Sequence, residues 1–392
     1  MHPPGADVVL VRHGDLNTKS TQVTRYMEGI LAENIEALLS DRELPGDVEQ
    51  RWSRPVIHTT EDAVEEATGT AADAFGVVSA SACLTVSPDL EAVREALAET
   101  ARECYDGGSF AVDARRAAKD LPFTSEDVAI EGGDAIREAV EDVFEPDVDL
   151  EEPDVTFGVE VREETAFVYL ESVPGPGGLP LGSQAPMVAL VSGGIDSPVA
   201  AYEVMCRGSP VIPVYVDLGA YGGVDHEVRA YETVRSLSRY APNFEMDVYR
   251  VPGGEAVATL AEGMEEGRML SLRRFFYRIA ECIAERVDAS GIVTGEAIGQ
   301  KSSQTAQNIG VTSRVTELPI HRPLLTWDKH DIVARAREIG TFTDSTIDAG
   351  CNRLAPDRAE TNARAEPLLG AEPDGLIERA EEVAAEATIV TL

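Results

Sequence analysis

The chain has 392 residues, enough for two to four domains, each with its own core. Hydrophobic residues make up 43% of it, yet no apolar run approaches the ~18 residues of a membrane span and no signal-like start is present. This sets aside membrane-spanning and secreted classes, and the expectation is a soluble, cytoplasmic protein with no membrane partner. The charge is extreme, 33 Lys+Arg against 70 Asp+Glu, or −37. The acids are spread over amphipathic segments throughout, which excludes a simple acidic tail and points to adaptation to high internal salt.

In chain order, residues 7–12 (DVVLVR) read as a first strand. A helix follows over 22–39, with Val23, Met27, Ile30, Leu31, Ile35 and Leu38 in helical spacing. After a polar, Pro-containing stretch, 75–86 (FGVVSASACLTV) read as a strand region and 90–105 as an amphipathic helix. Residues 109–117 (SFAVDARRA) read as a strand, 134–144 as a helix, and 154–173 as a hairpin around a charged turn. This order is α+β. PGPGGLPLGSQ, 174–184, is the clearest linker.

Beyond the linker, strands and helices alternate. The strands are 187–191 (MVALV), 210–218, 246–251 and 291–296, and the helices follow Ser197, span 228–238 and span 268–286. That alternation predicts βα units, a parallel sheet, and a site at the carboxyl ends of its strands. The tail from Pro356 is acidic and Ala-rich and ends in a predicted helix.

One stretch carries chemistry directly. In VALVSGGIDSPVA, 188–200, a buried strand runs into Ser192-Gly193-Gly194, then Ile195-Asp196-Ser197-Pro198. Ser197 suits an N-cap and Pro198 the first helical position. The N–H groups of such a turn and the helix dipole make an anion site. GxxxxGK[ST] and GxGxxG are both absent. The remaining pattern, SGGxDS after a strand, resembles the PP-loop of ATP pyrophosphatases. That resemblance implies ATP bound by its pyrophosphate end, AMP transferred to an acceptor, and Asp196 helping to hold Mg²⁺ through hard oxygens.

Rare residue types sharpen the choice. Only Lys19, Lys119, Lys301 and Lys329 occur, so each is a candidate for a task that needs a compact point charge. Lys329 stands at a helix start beside Asp328 in RPLLTWDKHDIV, and VTGEAIGQKSSQT places Gly295 and Glu296 at a strand end before a polar loop. The five cysteines are scattered, with no CxxC, which argues against a disulfide framework or an evident metal site. Cys351 lies in a Gly/Pro-bounded polar loop near Arg353, the setting of an activated thiolate. Cys83, Cys104, Cys206 and Cys282 fall in apolar-patterned segments and read as core.

GGLPLGSQAPMVALVSGGIDSPVAAYEVMCRG, TGEAIGQKSSQT, RPLLTWDKHDI and IGTFTD resemble the ThiI family of tRNA 4-thiouridine sulfurtransferases. VVLVRHGDLNTKS is similar to that family's ferredoxin-like domain, and FGVVSAS, FAVDARRAAKDLPFTS and GVEVREETAFVYL to its THUMP RNA-binding domain. The resemblance implies a ferredoxin-like domain over 1–58, THUMP over 59–174, and a Rossmann-like PP-loop ATP pyrophosphatase domain over 175–392. It implies ATP with Mg²⁺ as cofactors and tRNA as substrate. Adenylation of O4 of uridine 8 would release pyrophosphate, and sulfur would then displace AMP.

The same resemblance implies an ATP pocket of Leu190, Val191, Ser192, Gly193, Gly194, Ser197, Tyr215, Val216, Arg273, Gly295 and Gln304. Tyr215-Val216 stands where the family often has His-Phe. Asp196, Lys329 and Cys351 would be catalytic, Cys351 as the persulfide carrier. Arg115, Arg116 and Lys119, at a strand end in a chain that otherwise displays carboxylates, are expected to touch tRNA phosphates. Two departures concern sulfur. A C-terminal rhodanese-like domain, common in bacterial members, is not expected here. The positions of a cluster-binding CxxC on the long helix are Met269 and Leu272. The sulfur donor, a persulfide carrier protein or sulfide, stays open, as does a homodimer. The alternatives are a PP-loop ligase for a small molecule, a tRNA-binding protein with a decayed site, and a side role in thiamine thiazole synthesis. A THUMP methyltransferase is excluded by the lack of a Gly-rich cofactor loop and an N/D-PP-Y/F motif.

Overall fold

The computed structural model describes residues 1–14, 20–51, 54–118, 121–222, 224–345, 354 and 360–392. They divide into two units, Met1–Pro180 and Leu181–Leu392.

The first unit opens with β1 (Val8–His13), α1 (Thr21–Asp41), β2 (Asp47–Arg51), β3 (Arg54–His58), α2 (Val64–Ala72) and β4 (Val77–Val86). All six residues of β1 are buried, because both faces are covered. Val9 and Val11 pack with Leu31, Ile35 and Leu38 of α1, while Val8 and Leu10 pack with Cys83, Phe167 and Tyr169. This is why the segment reads as an unbroken apolar run and does not alternate. The helical spacing predicted for 22–39 is realised in α1, although Val23 points to solvent. The stretch read only as polar and Pro-containing holds the β2–β3 hairpin and α2.

The chain continues through α3 (Leu90–Cys104), β5 (Ser109–Arg116), α4 (Ser125–Val140), β6 (Asp147–Val148), β7 (Val155–Val161), β8 (Ala166–Tyr169) and β9 (Val173–Pro174). The sheet order is β2-β3-β1-β4-β8-β7-β5-β6, with β9 also on β4. Ten-residue β4 joins the two halves, because its first part pairs with β1 and Leu84–Val86 pair with β8. β7 and β8 form the predicted hairpin, antiparallel from Gly158↔Tyr169 to Val161↔Ala166. The helix expected at 134–144 instead starts at Ser125. A capping box explains the difference: Thr124 and Asp127 satisfy each other's backbone N–H groups.

The second unit contains β10 (Met187–Leu190), α5 (Asp196–Met205), β11 (Val211–Asp217), α6 (Val224–Ser238), β12 (Val248–Pro252), α7 (Gly254–Gly263), α8 (Arg268–Arg286) and β13 (Ile292–Val293). It then adds α9 (Ala306–Thr312), β14 (Ile320–His321), α10 (Lys329–Glu338), α11 (Phe342–Ser345), α12 (Ala365–Ala371), α13 (Leu376–Ala385) and β15 (Thr388–Val390). The order is β14-β13-β10-β11-β12-β15; all pairings are parallel except β12–β15. Successive crossovers leave β10 toward opposite sides, β11 on one and β13 on the other, so the crevice at its carboxyl end is a topological switch point. Phe275, Ile279 and Ile283 of α8 and Val383 of α13 pack in one core with Val188, Val214 and Ile292 of the sheet. Among the described residues no helix is long and apolar enough to cross a membrane.

Candidate active site

The glycine turn leaves β10 at this switch point. Ser197 is not the N-cap: α5 begins at Asp196, and Ser197 lies inside its first turn. From there its Oγ accepts the Ser192 N–H at 3.0 Å and lies 3.3 Å from Ser192 Oγ. The hydroxyl thus closes the loop on itself and fixes its curvature. Each loop glycine has its own surroundings. A Cβ on Gly193 would lie 3.0 Å from the His226 carbonyl oxygen, whereas one on Gly194 would meet only Ser192 Oγ, at 3.5 Å. The space over Gly194 is therefore open on the ligand side. Gly295, just past β13, presses on the loop from the neighbouring strand, since a Cβ there would lie 2.6 Å from the Asp196 carbonyl carbon.

A cleft of about 250 Å³ opens in front of this turn. Leu190, Val191, Val214, Val216 and Leu218 form one apolar side, and Met269, Leu272 and Phe276 of α8 form the other. Met269 and Leu272, where a cluster-binding pair of thiolates would stand, serve here as wall. Ser192, Asp196, Ser197, Arg273, Gly295 and Gln304 also line the cleft, so it gathers most of the pocket residues expected from the sequence. Gly193, Gly194 and Tyr215 are not among its lining residues, and Tyr215 faces elsewhere. Strand alternation that turns Val214 and Val216 to the cleft turns Tyr215 away, and its ring is buried with the hydroxyl 3.2 Å from His226 Nδ1.

The polar end is tightly organised. One oxygen of Asp196, Oδ1, accepts from Lys329 Nζ at 2.7 Å and from Gln300 Nε2 at 3.2 Å. Lys329 begins α10, so the sequence pair DK reaches across to the loop through the start of a helix. Glu296, buried at the end of β13, takes Arg322 Nε at 2.7 Å, Arg273 Nε at 3.0 Å and the Tyr277 hydroxyl. Burial, then the Glu296 carboxylate, pushes the Tyr277 phenol up, so it stays a donor. Arg273 also donates to Ser303 O and Oγ at 2.9 and 3.1 Å. Gln304 is buried and its Oε1 has no hydrogen-bond partner, an acceptor waiting in the cleft wall.

Three of these residues escaped the sequence reading. The sequence places Glu296 at a strand end without a role, and its partner Arg322 opens the RPLLTWDKHDI motif, in which only Lys329 draws a role. His226, from α6, lines the cleft beside Gly193. Burial and then Arg229 hold its pKa below the ordinary imidazole value, which favours a neutral ring. No spacing rule in the sequence connects it to the loop.

Cys351 and Lys119 lie outside the described residues. Arg115 and Arg116 are exposed at the end of β5, as expected. Arg116 donates to the Phe123 and Leu121 carbonyls at 2.8 and 3.3 Å, and Arg115 approaches Asp113 at 3.4 Å. A larger cavity, about 350 Å³, lies in this first unit, lined by Arg54, Glu160, Arg162 and Phe167 and by Ala117 and Ala118 just after that arginine pair. Of the other cysteines, Cys83 and Cys206 are buried, with thiols pushed up to about 12 mainly by desolvation. Cys104 and Cys282 are half-buried, and burial raises both.

A PP-loop at the switch point of a parallel sheet, following a ferredoxin-like and a THUMP half, defines a nucleotide-dependent enzyme of RNA modification. Residues 182–376 match the family described as "Thiamine biosynthesis protein (ThiI)", 87–171 the THUMP domain, and 8–81 the ThiI ferredoxin-like domain. The chain belongs to the ThiI family. It is 57% identical over 386 residues to a probable tRNA sulfurtransferase of Halobacterium salinarum, covering 98% of both chains. It is 41% identical to a probable tRNA sulfurtransferase of Methanosarcina acetivorans, over 91% of this chain and 87% of that one. Its structure is similar to the crystal structure of a 4-thiouridine synthetase–RNA complex with bound ATP, with TM-score 0.83, 28% identity, and coverage of 98% and 100%.

Proposed function

We propose that this chain is an ATP-dependent tRNA sulfurtransferase that converts uridine 8 of tRNA to 4-thiouridine. The observation that carries the reading is the Ser192–Ser197 turn at the switch point, with Asp196 held 2.7 Å from Lys329. The named activity of the Halobacterium and Methanosarcina relatives, and the ATP and RNA bound by the similar synthetase, support it.

The residues fit ATP. The open space over Gly194 suits a phosphate, the apolar walls suit a purine, and the unpartnered Gln304 Oε1 can accept from an exocyclic amine. Mg²⁺ fits through Asp196, whose Oδ2 remains as a hard oxygen while Oδ1 takes Lys329 and Gln300. When bound, the ion neutralises phosphate charge. In the first step O4 of the uridine attacks the α-phosphorus, the bond to pyrophosphate breaks, and pyrophosphate leaves. Lys329 stabilises charge developing on the transferring group. In the second step the terminal sulfur of a Cys351 persulfide attacks C4, and AMP leaves with the original O4. An external thiol then attacks Cys351 Sγ and frees the thiolated base. The raised thiols of Cys83, Cys206, Cys104 and Cys282 make them poor substitutes. The family's description favours a side role of the same sulfur in thiamine thiazole synthesis.

Asp196→Ala tests the loop. We expect tRNA-dependent pyrophosphate release to fall by about 10²–10³-fold, with tRNA affinity unchanged. Full release by that variant, or release that needs no tRNA, contradicts the assignment.

A further inference from the structure

Among the described residues, Lys301 is the cation at this cleft without a carboxylate partner. Arg273 is held by Glu296 at 3.0 Å and by Ser303, Arg322 by Glu296 at 2.7 Å, and Lys329 by Asp196 at 2.7 Å. Lys301 is exposed and lines the same cleft, and among the described residues no carboxylate lies within ion-pair distance of its ammonium. In a chain with 70 acidic residues against 33 basic ones, a long flexible lysine without a carboxylate partner is a departure from its surroundings.

The backbone around it is anchored on both sides. Gln300 donates to Asp196, Ser303 is gripped by Arg273, Gly299 N–H donates to Gln304 O at 2.9 Å, and Gln304 N–H donates to Lys301 O at 2.8 Å. The loop therefore delivers one exposed ammonium to the cleft from a fixed base. Lysine has nearly vanished from this sequence, and an arginine fork at this place could bridge to the nearby Asp196 or Glu296; a compact ammonium on a flexible stem is better suited to follow a phosphate chain.

We propose that Lys301 is a phosphate-contacting residue of this cleft, meeting the phosphate chain of the ATP co-substrate; the inference rests on the ATP reading above. The same ammonium could meet a phosphate of the RNA backbone, and the experiment separates the two sources. Equilibrium binding of ATP, adenosine and tRNA is measured for the full chain, K301Q and K301R. K301Q is expected to weaken ATP about tenfold, with adenosine and tRNA changed by less than about twofold and K301R falling between K301Q and wild type for ATP. Unchanged ATP affinity overturns the proposal. Equal loss for ATP and adenosine overturns it in favour of loop packing, and loss confined to tRNA overturns it in favour of the RNA backbone. Wild-type protein that binds ATP but thiolates no tRNA refutes the functional reading and leaves Lys301 standing; wild-type protein that binds no ATP refutes both.

Discussion

Gly295 shows how a single missing side chain can hold a site together. Its Cα sits where any Cβ would enter the Asp196–Ser197 peptide, with 2.7 Å to the Asp196 carbonyl oxygen and 2.8 Å to the Ser197 nitrogen. Both neighbours are backbone, so the clash is relieved only by moving the loop. Gly295→Ala is therefore expected to weaken ATP binding by at least about tenfold while the protein remains folded, read by titration with ATP alongside circular dichroism. Wild-type affinity would mean that the loop yields without cost. At this scale the hexapeptide SGGIDS was legible because the needs of a phosphate turn are local. For Tyr215 the family correspondence names a position but not a face, and strand alternation decides the face, turning the ring from the cleft. His226 was illegible because only the packing of α6 brings it to Gly193.

Among the elements, α4 is where local chemistry and hydrophobic spacing speak differently. The periodic apolar positions become dense only in its second half, yet the helix begins nine residues earlier, at Ser125, because Thr124 and Asp127 cap it. The Thr124 hydroxyl accepts from Asp127 N at 3.1 Å, and Asp127 accepts from Thr124 N at 2.7 Å, which also holds the Asp127 carboxyl below its ordinary pKa. Thr124→Ala is expected to cost about 1 kcal/mol, measured by denaturant unfolding of the full chain. No loss of stability would show that the cap is replaced by solvent. The parallel sheet was legible from the alternation of strands and helices. The antiparallel edge strand β15 was not, because three residues, Thr388–Val390, carry too little pattern to show period or partner. The same limit hid the two-residue β14, whereas β13 falls inside the strand expected at 291–296.

The molecule as a whole must hold an anionic substrate with a net charge of −37. At ~1 M salt the Debye length is about 3 Å, so long-range repulsion is screened and contacts close to phosphate decide binding. Arg115, Arg116 and Lys119 are proposed as such contacts. Because Arg116 already donates to two loop carbonyls, Arg115 is expected to contribute more than Arg116. Replacing all three with Gln should weaken tRNA binding and flatten its salt dependence; an unchanged slope across a KCl series would remove them from the interface. The central claim, that the Asp196 loop drives thiolation of tRNA, is tested most directly by mass spectrometry of nucleosides from tRNA of cells lacking this gene. The account predicts that 4-thiouridine disappears, returns with the wild-type chain and does not return with Asp196→Ala. Persistence of 4-thiouridine in the deletion, or its full return with Asp196→Ala, would contradict it.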